Sequence, residues 1–262
     1  MTTAEKLIKV TENREKLYEA GKKAEYDSFW DAAQKNGTRA SYSYGFSGGC
    51  WTDKTFRPKY DIIAQPGNGI FQGNAVTDYV KLFSDCGVVF DTSKSNNNQY
   101  MFNGSFATRI PVIDLSADTT SQLTYVFNAC RSLKSIEKVI FKQDGSQKFN
   151  QTFGGCTSLA EIRVEGVIGE TISFGSSPLS KDSMRGEEIT AERYAALPEL
   201  VQANNTITLQ GKIYWGGVIP ALSVTATGKT IEFKKTAKEA AFTEEEWNEL
   251  IALRPNWTFK MA

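Results

Sequence analysis

The sequence predicts an α/β fold, namely a short solenoid with one strand and a short helix or turn per repeat, an N-terminal helix and terminal caps. Residues 127–136 align without gaps on residues 153–162, and a partial copy begins at Phe102. Apolar residues alternate at the end of a copy, as they do in a strand with one buried face. One strand and one turn bury little surface alone, so the copies are expected to stack.

Composition and charge narrow the classes of function. The 262 residues include 30 basic and 30 acidic side chains, and 40% of the chain is hydrophobic. Zero net charge argues against nucleic acid or an anionic membrane as partner, because both attract concentrated positive charge. The chain contains no histidine, which excludes Ser-His-Asp and Cys-His pairs and His-ligated zinc within it. We therefore expect no catalytic residues, no metal, no cofactor, no nucleic-acid partner and no membrane insertion.

Residues 1–36 are predicted to form a helix. Thr2 and Glu5 match a capping box, and Asn36 with Gly37 provides a stop. An interrupted seven-residue spacing of apolar residues offers a route to homo-oligomers through a coiled coil, whereas the interleaved charges suit a solvated helix face. No apolar signal segment follows Met1, so we expect cytoplasmic synthesis without a signal peptide.

Residues 37–75 are rich in glycine and aromatic side chains. We interpret them as an N-terminal cap that shields the open end of the repeat stack. The alternative is a sugar-stacking surface, because flat rings match the faces of sugars. Trp51 is the candidate binding residue of this segment.

Residues 76–175 are predicted to hold the repeats. The F-x-x-C blocks at residues 127–130 and 153–156 fit a single helical turn that places Phe and Cys on one face. Residues 83–86 form a further, more distant copy. We expect Phe102, Phe127 and Phe153 to stack in a buried row. Cys130 and Cys156 should lie beside them as reduced thiols, since a free Cys packs as a small apolar residue.

The strands that follow these blocks carry the candidate binding residues. Ile162 and Val164 are expected to point inward, which leaves their charged neighbours on the outer face of a parallel sheet. The candidates on this face are Glu137, Glu161, Arg163 and Glu165. Mixed charge without a net sign favours a protein or glycan surface as partner. The same residues could equally be ordinary solubilising side chains.

Residues 176–262 are predicted to form degenerate repeats and a C-terminal cap. A helical composition over 179–203 precedes strands at 206–209 and 228–233. Thr243 and Glu246 match a second capping box, for a helix ending near Leu253, and residues 257–259 suit a final strand. Trp215 is expected to pack in the core or cap. An exposed, ligand-stacking Trp215 is the alternative.

Residues 127–136 and 153–164 resemble the repeats of BspA-type leucine-rich repeat proteins, which read roughly F-x-x-C-x-S-L-x-x-I-x-I/V. Residues 102–110 match in part, because Ser105 replaces the Cys. The opening, at residues 51–53 and 60–63, and the ending, at 242–247 and 255–258, are similar to those of members encoded in bacterial genomes and in prophages near tail genes. The resemblance implies a leucine-rich repeat fold and a surface-interaction role that includes virion association. It brings no catalytic residues.

Two main hypotheses of function follow. The first is a non-enzymatic binding or structural protein, associated with a prophage tail or a surface and recognising a protein or a glycan. The alternative is a glycan-active hydrolase that uses a pair of carboxylates, although no linear pattern marks such a pair. A purely intracellular scaffold is the third possibility.

Overall fold

The computed structural model describes residues 46–49, 52–54, 56–58, 61–63 and 68–262. The predicted N-terminal helix at 1–36, Cys50 and the candidate Trp51 lie outside these residues. The described chain is a mixed α/β structure with several small sheets, most of them parallel. No helix in the described part of the chain combines the length and the apolar character needed to cross a bilayer.

The first half of the described chain is mostly strands and turns. Its elements are β1 (Ile62–Ile63), α1 (Tyr79–Cys86), β2 (Phe90–Asp91), β3 (Arg109–Asp114), β4 (Leu123–Thr124), β5 (Ser135–Ile140), β6 (Phe149–Asn150) and β7 (Glu161–Glu165). Strands β1 and β2 pair in parallel, as do β4 and β6. Strands β3, β5 and β7 form a parallel sheet in that order.

The second half alternates strands with short helices. Its elements are β8 (Ile172–Phe174), α2 (Lys181–Arg185), β9 (Glu187–Ile189), α3 (Ala191–Ala195), α4 (Glu199–Asn205), β10 (Thr206–Leu209), β11 (Lys212–Trp215), β12 (Lys229–Phe233), α5 (Lys235–Ala241), α6 (Glu244–Ala252) and β13 (Trp257–Met261). Strands β8, β12 and β13 are parallel, with β12 in the middle. Strand β11 pairs with β9 and β10, antiparallel to both.

A row of phenylalanine rings runs through the core. Neighbouring rings have centroids between 4.6 and 6.4 Å apart and planes within 26° of parallel, which is the offset-stacked geometry that aromatic pairs prefer. In order, its members are Phe46, Phe71, Phe102, Phe127, Phe153, Phe174 and Phe233, all buried. The predicted buried row of Phe102, Phe127 and Phe153 is therefore confirmed, and it extends in both directions.

The predicted earlier copy at residues 83–86 is wrong. Phe83 lies in helix α1, which continues for eight residues because the Asp78 side chain caps the Lys81 N–H at its start. Phe83 stacks on Phe90, with 5.0 Å between centroids. The neighbour of Phe102 in the row is Phe71, whose block ends in an Asn in place of a Cys.

The F-x-x-C blocks are turns, and the predicted helical turn is also wrong. In residues 71–74, 102–105, 127–130 and 153–156, the fourth N–H donates to the carbonyl of the Phe, at 2.8–3.3 Å. The third residue has a left-handed φ, which a right-handed helical turn excludes. Three of these residues are glycines, and the fourth is Ala129, with φ 56°.

The cysteines of the blocks have a more specific role than apolar packing. Cys130 Sγ donates to the carbonyl of Phe102 at 2.9 Å, and Cys156 Sγ to that of Phe127 at 3.0 Å. Both are free and buried, as predicted. Burial raises the pKa of the Cys156 thiol to about 12 and that of Cys130 well above its ordinary value.

The C-terminal predictions are largely confirmed. Strands β10, β12 and β13 lie where the sequence predicted them, and α6 begins with the Thr243 and Glu246 capping box. The sequence reads 179–203 as helical with a break at Pro198; the structure has α2, α3 and α4 there, with Pro198 at the start of α4, and the strand β9 was not predicted. Local composition there favours a helix, but pairing with β11 overrides it.

Candidate functional site

Four of the six predicted binding residues line one pocket beside the β3–β5–β7 sheet. We call it the strand pocket, and its volume is about 280 Å³. The predicted residues in its wall are Glu137, Glu161, Arg163 and Trp215. The other lining residues are Ser135, Ile136, Ile162, Asp182, Ser183, Glu187 and Gly216.

Strand alternation explains why side chains from β5 and β7 share this wall. Ser135 pairs with Glu161 and Ile136 with Ile162 in parallel register. Ile136 and Ile162 are buried, so Ser135, Glu137, Glu161 and Arg163 turn to the other face. The predicted inward and outward positions on β7 are therefore confirmed.

Arg163 is held rigidly at one side of the pocket. Its Nη2 forms an ion pair with Glu187 of β9, and its guanidinium carbon lies 4.9 Å from the centre of the Trp215 ring. Glu187 also accepts a hydrogen bond from Trp215 Nε1 at 3.1 Å and forms an ion pair with Arg193 at 3.0 Å. Arg193 lies over the same ring at 5.7 Å. This network holds the Arg163 guanidinium at the mouth of the pocket. It does not use all of the N–H donors of that guanidinium.

Gly216 makes room for Arg163. A Cβ at position 216 would lie 2.8 Å from Arg163 Cγ and 3.1 Å from Cδ, and the φ of this glycine is 76°. The carbonyl of Gly216 accepts from the Val164 N–H at 2.7 Å, which ties the segment to β7. Only glycine satisfies both the close approach and the left-handed φ without strain.

Glu161 is a carboxylate with hydroxyl partners. Its Oε2 accepts from Ser180 Oγ at 3.0 Å and contacts Ser183 Oγ at 3.4 Å. Within the described residues no Lys or Arg reaches it as an ion-pair partner. Among the described residues, the ion-pair partner of Glu137 is Arg109, at 3.9 Å. Glu161 and Glu137 therefore offer hydrogen-bond acceptors to the pocket, whereas Arg163 offers donors.

Glu165 lies outside the pocket, whereas Trp215 lines it with a buried ring. Glu165 forms an ion pair with Lys138 at 2.7 Å and does not line the pocket. Trp51 is outside the described residues. Trp215 is only 6% exposed, so the reading of this residue as core or cap packing is confirmed, and its ring supports Arg163.

The sequence did not predict the contributions of α2, β9 and the 215–217 segment. Asp182, Ser183 and Glu187 come from a region read as helical, and Gly216 was given no role. Two residues in the sequence indicate that the helix is interrupted near Glu187, namely Gly186 before it and Thr190 after it. Thr190 caps α3 by accepting from the Arg193 N–H at 3.3 Å.

Polar and charged side chains make up seven of the eleven lining residues, and three of the four acidic groups are in ion pairs. Asp182 pairs with Arg185 at 2.9 Å and Glu187 with two arginines. In the part of the chain that the structure describes, no cluster of three or more Cys, Asp or Glu side chains is arranged to hold a metal ion. Comparison of the chain with protein-family models, curated proteins and solved structures gives no match in any of the three.

Proposed function

We propose that this chain is a non-enzymatic binding protein, built as a short leucine-rich-repeat solenoid of the BspA type and associated with a prophage tail or surface. It recognises a protein or glycan surface through the strand pocket. The observation that carries the proposal is the convergence of Glu137, Glu161, Arg163 and Trp215 on one pocket.

The repeat architecture is supported by the regularity of the core. Phe71 N–H donates to the carbonyl of Met101, Phe102 N–H to that of Val126, and Phe127 N–H to that of Thr152. Each turn thus bonds to the next at the same position, as stacked copies of one unit do. The tail or surface association is supported by the resemblance of the opening and ending of the chain.

The contacts of the carboxylates in the pocket support binding over hydrolysis. A glycosidase needs one carboxylic acid and one carboxylate across the scissile bond. Here Asp182 and Glu187 are in ion pairs, and Glu161 is held by serine hydroxyls. The carboxylate acceptors of Glu137 and Glu161 and the guanidinium donors of Arg163 suit hydroxyl or amide groups of a partner.

Binding to bacterial cell envelopes tests the proposal. Glu161→Gln and Glu137→Gln keep the shape of the pocket and remove its acceptor charge, so we expect each to weaken binding about tenfold, the cost of one charged hydrogen bond. Glu165→Gln, on the same strand as Glu161 but outside the pocket, is the matched control. Binding should change little with salt, because few counterions are released.

Two results would contradict the proposal. Equal affinities for Glu161→Gln, Glu137→Gln and Glu165→Gln would remove the pocket from recognition. Release of reducing ends from a cell-wall or capsular glycan, abolished by one Asp or Glu substitution, would replace the binding function by the hydrolase alternative.

A further inference from the structure

A second surface, formed by the phenylalanine turns, carries uncharged polar and aromatic side chains. We call it the tyrosine strip. Its members are Gln72, Tyr100, Asn103, Tyr125, Asn128 and Gln151. None of them lines the strand pocket.

The strip is continuous from turn to turn. The Tyr100 and Tyr125 rings are 5.3 Å apart between centroids, with 39° between planes. Asn128 Nδ2 donates to Gln151 Oε1 at 3.4 Å. The Asn103 N–H donates to the carbonyl of Tyr100, and Asn128 pairs with Tyr125 in the same way. A tyrosine and an amide therefore recur side by side on consecutive turns.

The residue two positions before the phenylalanine of each of these turns has a left-handed φ, including Gln151, with φ 48°, in the turn after Tyr125. Tyr100 has φ 58° and Tyr125 φ 54°, in the left-handed region that costs a side chain with a Cβ more than it costs glycine. In the preceding turn, Gly69 occupies this position, with φ 63°. The turn itself needs no tyrosine there. Both rings are half-buried and lie outside the buried core, so core packing does not account for them. Strain of this kind is a reason to look for a function.

The chemistry of the strip fits a sugar. The phenol oxygens of Tyr100 and Tyr125 and the amide of Asn103 make no side-chain hydrogen bond within the described residues, so they are free to bind a ligand. No member of the strip is charged, so the strip offers no ionic contact to a charged polymer. Flat rings pack on the C–H faces of sugars, and amides donate to and accept from hydroxyls.

We propose that the tyrosine strip is a second binding site, separate from the strand pocket, for a neutral glycan. Sugar rings pack on Tyr100 and Tyr125, and Asn103 and Asn128 bind their hydroxyls.

The test is a double variant, Tyr100→Asn with Tyr125→Asn. Asn tolerates a left-handed φ, so the variant loses the rings and keeps the turns. Binding is measured on immobilised mannan, dextran, galactan and chitin, with heparin as the charged comparison. We expect the unmodified protein to bind at least one neutral polysaccharide, independently of salt, and the double variant to lose at least tenfold in affinity. Its melting temperature should not fall.

Two control variants separate this site from other causes. Tyr194→Asn removes a half-buried tyrosine of α3 and should bind as the unmodified protein does. Glu165→Gln, outside both the strand pocket and the tyrosine strip, should also keep its polysaccharide affinity. The strip is tested on pure neutral polysaccharides and the pocket on cell envelopes. The two hypotheses are thus tested independently, and failure of either one does not affect the test of the other.

Four outcomes would overturn the proposal. The first is that the unmodified protein binds none of the neutral polysaccharides, and the second is that the double variant binds them equally well. A melting temperature that drops by several degrees in the double variant would give the rings a structural role. Binding to intact cells that depends on the two tyrosines and disappears after protease treatment of those cells would assign the strip to a protein partner.

Discussion

Truncating Phe127 should remove a large part of the stability of this protein. The ring is fully buried, and its centroid lies 5.9 Å from that of Phe102 and 5.2 Å from that of Phe153. Replacement of a buried Phe by Ala costs about 3–5 kcal/mol. Phe127→Ala also breaks two stacked pairs, each worth roughly 0.5–1.5 kcal/mol beyond area. We therefore expect a loss in the upper part of the range, about 4–5 kcal/mol.

Urea unfolding followed by circular dichroism measures this loss. Phe127→Leu keeps most of the apolar volume and removes only the ring pairs, so it should lose about 1–2 kcal/mol. Phe106→Ala is the matched control, because Phe106 is 57% exposed and its truncation should stay within about 0.5 kcal/mol. A loss below about 1 kcal/mol for Phe127→Ala, or one equal to that of Phe106→Ala, would refute the stacked core.

Two further predictions concern the turns. Ala129→Gly should stabilise the protein by about 0.5–1 kcal/mol, because Ala129 has φ 56°, and Gly155→Ala, at φ 71°, should destabilise it by about 1 kcal/mol. Urea titrations that give both changes the same sign would contradict this reasoning. The second concerns Cys156, whose thiol pKa is raised in the folded protein from 9.0 to about 12. The buried neutral thiol therefore stabilises the fold fully below pH 9.0. This contribution to stability is lost as the pH rises from 9.0 to about 12. Cys156→Ala should remove that alkaline loss, and in the native protein Ellman's reagent should label the half-buried Cys86 well before Cys156. Equal labelling rates would show that Cys156 is accessible.

The sequence predicted the phenylalanine row where the blocks are regular, and missed its members where they are not. Phe127 and Phe153 stand in matching blocks, so alignment was enough. Phe71 was missed because helix α1 lengthens the segment before Phe102 and because Asn74 takes the place of a Cys. Asn74 nevertheless makes the same kind of contact as the cysteines, a side-chain hydrogen bond to the carbonyl of the preceding phenylalanine in the row. Its Nδ2 donates to the carbonyl of Phe46 at 2.7 Å.

The candidate site was predictable on one side only. Glu161 and Arg163 follow from the alternation along β7, which is a local property of the chain. Glu187 depends on the antiparallel register that sets it opposite Trp215, and no local pattern encodes that pairing. The distance in sequence between β9 and β11 is the physical reason that this wall of the pocket was missed.

The strand pocket lies where the parallel sheet ends, and this position couples binding to stability. Strand β7 is an edge of the β3–β5–β7 sheet, and an open edge is a liability for a folded protein. The Ile162 N–H donates to Ser183 Oγ at 3.0 Å and the Val164 N–H to the Gly216 carbonyl at 2.7 Å. Ser183 and Gly216 also line the pocket, so changing either one would disturb the sheet and the site together. In the described chain, the Glu161 side chain bonds to serine hydroxyls and not to the backbone, and Gln keeps an oxygen acceptor for them, so Glu161→Gln probes recognition with the edge intact.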